Sequence, residues 1–343
     1  MRHTVKAASI ISVAALALTA CGSDDSGDDA TSGEGSDVKA CLAYDVGGRG
    51  DQSFNDSAAK GLDQAKDELG IDTEEVEASQ GENDAAREDR LNQLVDAECT
   101  NIIGVGYIYA KAIGAAAKSN PDVSFAIIDD ASEDSKGDNV AQLTFAEQEG
   151  SFLVGAAAAM KSKSGKVGFI GGVDVPLINK FEAGFKAGAK AVDAKIDIQT
   201  KYLAEDGSGF ADPAKGKTAA DGMYDKGADV VFHAAGGSGT GVFKAAAASK
   251  KMAIGVDSDQ AKTADPDVRD VIITSMVKNV DVAVFDYIKS STTGEADSGN
   301  IVFDLKAGGV SYATTGGKID DITKDLDEYK KQIVDGEITV PSK

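Results

Sequence analysis

The sequence contains no tryptophan, two histidines, three cysteines and five prolines, and its 57 acidic residues outnumber its 35 lysines and arginines. Each shortage closes off a kind of chemistry. No cluster of cysteine and histidine has zinc spacing, and His3 falls in the extreme N-terminus, so no metal site is expected. A nucleophile elbow is missing, because Gly236-Gly237-Ser238-Gly239-Thr240 breaks the Gly-x-Ser-x-Gly pattern. Gly47, Gly48 and Gly50 lack the dinucleotide-binding spacing, and their loop carries Asp51. The glycines at 236–241 are not followed by the Lys-Ser/Thr pair of a nucleotide P-loop. A formal charge of −22 repels nucleic acid and anionic lipid alike, so no nucleic-acid partner is expected. The apolar run at residues 7–20 falls short of the about 20 residues that span a bilayer. Neither a catalytic residue nor a cofactor is expected. With so few aromatic rings, a Phe in a polar loop becomes unusually informative.

What is present begins with a three-part N-terminus. Arg2, His3 and Lys6 give a basic start, residues 7–20 are apolar or small, and Leu18-Thr19-Ala20-Cys21-Gly22 forms a lipobox. This is the pattern of a lipoprotein signal peptide over residues 1–20. Cys21 would then head the mature chain, its thiol able to carry a diacylglycerol, and the protein would be lipid-anchored on the outer face of the cell membrane. Residues 23–37 are Gly, Ser, Asp, Thr, Glu and Ala only, and cannot build a core; residues 21–37 read as an acidic, flexible tether. Loss of Arg2 and Lys6 with the signal takes the formal charge from −22 to −24. An exported chain meets an oxidising compartment. Cys41 and Cys99 each open an apolar strand-like run and could meet if those strands are neighbours; a disulfide and two buried thiols both remain open.

The rest of the chain alternates strand and helix patterns. Strands are predicted at 38–45, 72–78, 101–105, 124–129, 139–144, 166–170, 197–202, 229–233, 252–256 and 271–275. Helices are predicted at 56–69, 83–95, 109–117, 148–160, 176–192, 213–224, 240–247 and 280–287, with a last one at 319–333. Such alternation means α/β architecture, parallel sheets with helices on both faces. Two half-sized sheets fit better than one sheet of ten strands. The glycines within Glu182-Ala183-Gly184-Phe185-Lys186-Ala187-Gly188 point to close helix–sheet packing.

Ligands of doubly wound sheets bind beyond the carboxyl ends of the strands. After the first strand comes Tyr44-Asp45, then a glycine-rich loop ending Asp51-Gln52-Ser53-Phe54-Asn55-Asp56, in which Ser53 or Asn55 can cap the next helix. Phe54 either folds beneath this loop or stacks on a flat ligand. Asp129 and Asp257 end strands, and a carboxylate there can accept two hydrogen bonds from sugar hydroxyls or cap a helix. Gly236 follows another strand, with amides that could face a ligand. Phe210 sits in the loop Gly207-Ser208-Gly209-Phe210-Ala211-Asp212-Pro213, and with Phe54 it could sandwich one planar ring. Lys278, past a strand end, could donate to ligand oxygens.

Taken together these segments resemble the basic membrane protein family of bacterial lipoproteins, also called purine nucleoside receptors, which are substrate-binding proteins of ABC transporters. The resemblance rests on Asp51-Gln52-Ser53-Phe54-Asn55-Asp56, Phe125-Ala126-Ile127-Ile128-Asp129, Gln148-Glu149-Gly150-Ser151-Phe152, Asp212-Pro213-Ala214-Lys215-Gly216, Gly255-Val256-Asp257-Ser258-Asp259-Gln260 and Ser275-Met276-Val277-Lys278. It implies a periplasmic-binding-protein type I fold of two doubly wound parallel-sheet lobes. One would comprise 38–145 with about 275–303, the other 146–274 with about 304–343, joined by a three-strand hinge. It further implies a nucleoside stacked between Phe54 and Phe210, with Phe232 as a rival for the second wall. Asp45, Asn55 and Asp129 would face it from one lobe, and Asp257, Lys278 and the Gly236 amide would hold the ribose. An ABC permease is the implied partner.

Two other functions fit the same residues less closely. A sugar or other polar solute would call for more Arg and Asn lining. An exported nucleoside-cleaving enzyme would use aspartates near a ribose to hold calcium and water. The aspartates here are spread over separate loops, with no Asp-x-Asp-x-x-x-Asp run.

Overall fold

The computed structural model describes residues 38–343 apart from Gln80 and Glu295; the signal sequence, Cys21 and the tether lie outside the described residues. In the first half of the chain β1 (Lys39–Ala43), β2 (Asp72–Val76), β3 (Asn101–Gly104), β4 (Ser124–Ile128) and β5 (Val140–Phe145) alternate with α1 (Phe54–Leu69), α2 (Asp84–Asp96) and α3 (Ala110–Ser119). The second half repeats the plan. Helix α4 (Glu147–Lys161) leads into β6 (Lys166–Val173), α5 (Pro176–Val192), β7 (Asp197–Ala204), α6 (Pro213–Asp225), β8 (Val230–Ala234), α7 (Gly239–Ser249) and β9 (Met252–Asp257). Two one-turn helices, α8 (Gln260–Thr263) and α9 (Pro266–Arg269), precede β10 (Ile272–Lys278). Then come α10 (Val280–Thr292), β11 (Gly299–Phe303), β12 (Val310–Tyr312) and α11 (Thr323–Val334).

Among the described residues the strands form two six-stranded sheets, ordered β11-β5-β4-β3-β1-β2 and β12-β10-β9-β8-β6-β7. The second is the first over again, with β12 alone antiparallel. Interior strands are buried on both faces, as Cys41-Leu42-Ala43 and Val230-Val231-Phe232 are, because helices cover both sides of a parallel sheet. Edge strands β2 and β7 have only exposed and half-buried positions.

Local chemistry sets the helix ends. Asn83 accepts from the amide of Ala86 at the start of α2, Asp212 does the same for Lys215 with Pro213 following it, and Gly70 closes α1 with φ 66°. The cap of α1 is neither Ser53 nor Asn55. Asp51 accepts from the amides of Ser53, Asn55 and Asp56 at 2.8–3.1 Å. The glycines of α5 serve helix–helix packing rather than the expected helix–sheet packing. A Cβ on Gly184 or Gly188 would strike the backbone oxygen of Gln148 or Phe152 on α4.

The chain passes between the sheets three times, at Ala146, Asn279 and Asp304. The second passage comes later than the expected 275, because β10 stays paired with β9 through Val277 and with β12 through Lys278. Phe145 and Phe303 stack at 5.2 Å between ring centres where the first and third passages begin, and the amide of Ala146 donates to the Phe303 carbonyl. The last helix starts at Thr323, not 319, since residues 319–322 form turns. Cys41 and Cys99 are joined in a disulfide with Cα atoms 6.1 Å apart, as the adjacency of β1 and β3 permits.

Candidate functional site

A cavity lies where the carboxyl ends of the two sheets face each other. Asp45, Phe54, Asn55, Asp129, Phe210, Gly236, Asp257 and Lys278 all line it, so the structure brings together the eight residues picked from the sequence. Phe232 does not take part: it is fully buried in the second lobe, packed on Phe169 and Phe185. Sequence reasoning passed over Tyr107 and Phe181, which also line the cavity. Tyr107 follows Gly106 just beyond β3, so the strand-end rule would have found it.

The first wall is built by the loop before α1. The Asp51 carboxylate gathers the loop amides and also accepts from the Asn55 side chain at 3.0 Å. Asn55 in turn accepts from the Asp45 amide at 3.0 Å. Its side chain thus ties loop to strand. Phe54, the first residue of α1, is held half-buried at the mouth. The second wall is set by Gly172, where a Cβ would overlap the Phe210 ring, and by Ser238, which donates to the Gly209 carbonyl and accepts from the Asp212 amide, both at 2.8 Å. Among the described residues neither Phe54 nor Phe210 stacks on another aromatic ring.

Charge is concentrated here despite burial. Lys278 is 1% exposed, and its ammonium lies 2.6 Å from both oxygens of Asp129, across from its own lobe, and 3.1 Å from Glu147. It also sits 5.2 Å from the centre of the Phe54 ring. Burial alone would lower its pKa, but Asp129, Glu147 and Asp257 together outweigh that and raise it. The carboxyls feel burial without full compensation. Burial pushes Asp45 up to about 7 and Asp257 up to about 6, and raises Asp129 even beside Lys278. Ser53 donates to Asp257 at 2.5 Å and Gln260 to the Gln52 carbonyl at 2.9 Å, both from one lobe to the other.

His233 points to the opposite face of β8, against Phe243, where burial lowers it to about 4. Among the described residues no group of three or more His, Cys, Asp or Glu is arranged to hold a metal ion. No helix among them is long and apolar enough to cross a membrane.

The profile of a family described as "ABC transporter substrate-binding protein PnrA-like" matches residues 39–343. The chain belongs to this PnrA-like family of ABC transporter substrate-binding proteins. A Listeria innocua protein named "CD4+ T-cell-stimulating antigen" is 39% identical, over 98% of each chain. The "ABC transporter nucleoside-binding protein BmpA" of Lactococcus lactis is 37% identical over the full length of both. Among solved structures, an ABC transporter solute-binding protein from Aeropyrum pernix K1 superposes with a TM-score of 0.77 at 30% identity, over 89% of this chain and 94% of that one. The cavity of this PnrA-like substrate-binding protein combines apolar walls that carry the rings of Phe54 and Phe210 with the buried charges of Asp129, Asp257 and Lys278.

Proposed function

We propose that this chain is an exported, lipid-anchored receptor that captures a nucleoside, a purine nucleoside above all, and delivers it to an ABC permease. The observation that carries this reading is the placement of Phe54 and Phe210, from different lobes, on the walls of one cavity that also holds Lys278 and Asp257. A planar base fits between two rings, each worth roughly 1–3 kcal/mol. The acceptor-only Asp257, the Lys278 ammonium and the Gly236 amide suit ribose hydroxyls, while Asp45, Asn55 and Asp129 face the base from the first lobe. No bond is broken: a ligand touching both lobes favours the closed state, which the permease reads. The nucleoside-binding relative from Lactococcus lactis agrees with this ligand class. The lipobox ending in Cys21 supports the anchor.

Thermal unfolding in the presence of purine nucleosides, free bases, sugars and amino acids tests the reading. Guanosine or adenosine should raise Tm, and Phe54→Ala should abolish the rise. Incubation with inosine should release no free base. A rise with arabinose or galactose and none with nucleosides would replace the nucleoside by a sugar. Replacement of Cys21 by Ala should move the protein from the membrane to the soluble fraction.

A further inference from the structure

Glu147 is fully buried and is not among the residues lining the cavity, yet it stands between two ammonium groups. Its Oε1 lies 3.1 Å from Lys278 as an ion pair without hydrogen-bond geometry, and its Oε2 accepts a hydrogen bond from Lys180 at 3.0 Å. Lys278 reaches on to Asp129, so charges alternate along Asp129, Lys278, Glu147 and Lys180. The chain of charges follows the passages between lobes. Asp129 directly follows β4 in the first lobe, Glu147 opens α4 directly after the first passage, Lys278 ends β10 directly before the second, and Lys180 belongs to α5. The first turn of a helix favours a negative charge, so α4 is a suitable seat for Glu147. A buried ammonium needs compensation, and Asp129 is itself a cavity residue that a ligand can engage. Glu147 pairs with Lys278 from outside the cavity lining, whereas Asp129 does so from within it.

We infer that Glu147 is a positioning residue for binding: it holds the Lys278 ammonium at the cavity and fastens it to the first passage between the lobes. This role rests on the reading of the cavity as the ligand site. The groups facing Lys278 are Asp129 from β4, Glu147 from α4 and Asp257 from β9, with the rings of Phe54, Phe145 and Phe181 around it. Removing Glu147 leaves the two carboxylates that a ligand also uses.

The test compares the whole chain with its Glu147→Gln and Lys180→Gln variants by two readouts. The first is the NMR titration of the lysine ε-methylenes, assigned with Lys278→Met, and needs no ligand. Lys278 should lose its proton at a lower pH in Glu147→Gln than in the wild type. The second is calorimetric titration with guanosine, where Glu147→Gln should weaken binding by about tenfold or more, with loss growing toward alkaline pH. Lys180→Gln removes a like charge from the far side of Glu147 and leaves the carboxylate to Lys278 alone, so Lys278 should keep its proton to a higher pH than in the wild type. A lower Tm with unchanged Lys278 titration and unchanged affinity overturns the role, as does an unmoved Lys180→Gln where Glu147→Gln cannot be folded. A wild type that binds no nucleoside defeats the nucleoside reading, while the ligand-free titration still decides whether Glu147 supports Lys278.

Discussion

Asp129 directly follows β4 and Asp257 ends β9, the third strand in the order of each sheet, and both hold left-handed backbone with φ of 71° and 63°. The left-handed conformation is costly for most residues and turns each carboxyl off its strand toward the shared cavity. The repeated half therefore delivers one carboxylate from each lobe to the same cavity. Lys278 breaks the symmetry by coming from one lobe only and pairing with the other lobe's aspartate.

Asp257 should be more useful than it is stabilising. Burial makes its charged form unfavourable, while Asn tolerates positive φ and can still accept from Ser53. Asp257→Asn should raise the ligand-free Tm at pH 8 by about 2 °C, as expected for roughly 1 kcal/mol in a chain of this size. The same change should weaken nucleoside binding about tenfold, since an acceptor-only carboxylate is lost. Asp257→Ala, which adds strain of about 1 kcal/mol at positive φ and leaves Ser53 unpaired, should lower Tm instead. Thermal scans of both variants check the argument; a fall in Tm for Asp257→Asn would contradict it.

Stability without ligand should depend on pH in a particular direction. Folding raises the carboxyls of Asp45 to about 7 and Asp257 to about 6, against about 4 in an unfolded chain. Such groups contribute stability that is fully present below their unfolded pKa and is lost as pH rises through 6 and 7. Glu82, Glu182 and Asp229 are shifted downward and act oppositely, so their contribution disappears only in acid. Tm should therefore peak near pH 5 and fall toward pH 8, by an amount of order 2–3 kcal/mol in stability. Asp45→Asn should flatten the fall between pH 6 and 8. A wild-type profile that is level from pH 5 to 8 would rule out the shift at Asp45.

The disulfide should matter to the fold and not to recognition. Cys41 and Cys99 enclose a loop with a sequence separation of 58, which corresponds to about 4 kcal/mol of loop-closure entropy in the unfolded chain. The bond packs on the α2–α3 side of the first sheet, among Leu91, Leu94 and Ile113, away from the cavity lining. Cys41→Ala with Cys99→Ala should lower the denaturation midpoint by that order and leave affinity unchanged within about twofold. Chemical denaturation and calorimetric titration of the double variant measure the two halves of this expectation.

The sequence made the repeated α/β plan readable because parallel strands such as Val230-Val231-Phe232 are apolar on both faces and their helices begin with plain signals such as Asp212-Pro213. It did not reveal β11 or β12. These are short edge strands, with Asn300 and Val302 exposed, and nothing local says which sheet a strand after α10 joins. Strand ends pointed to Asp45, Asp129, Asp257 and Lys278 because ligand sites in such sheets lie there. The roles of Asp51 and Glu147 were not legible for a different reason. Each works by holding another polar group, and those partners meet only once the loop before α1 has folded and the lobes have been joined.

The sharpest separation of ligand contact from packing lies in two phenylalanines of the second lobe. Phe210 came from a polar, glycine-rich loop and lines the cavity, whereas Phe232 came from an apolar strand and is buried between Phe169 and Phe185. Phe210→Ala should therefore weaken nucleoside binding by about 1–3 kcal/mol, or roughly 5- to 150-fold, with little change in Tm. Phe232→Ala should cost about 3–5 kcal/mol of stability through the cavity it leaves. Where that variant still folds, its affinity should stay near the wild-type value. Calorimetric titration paired with urea denaturation distinguishes the two cases. Equal losses of affinity in both variants would mean that the second wall of the site is not formed by Phe210 alone.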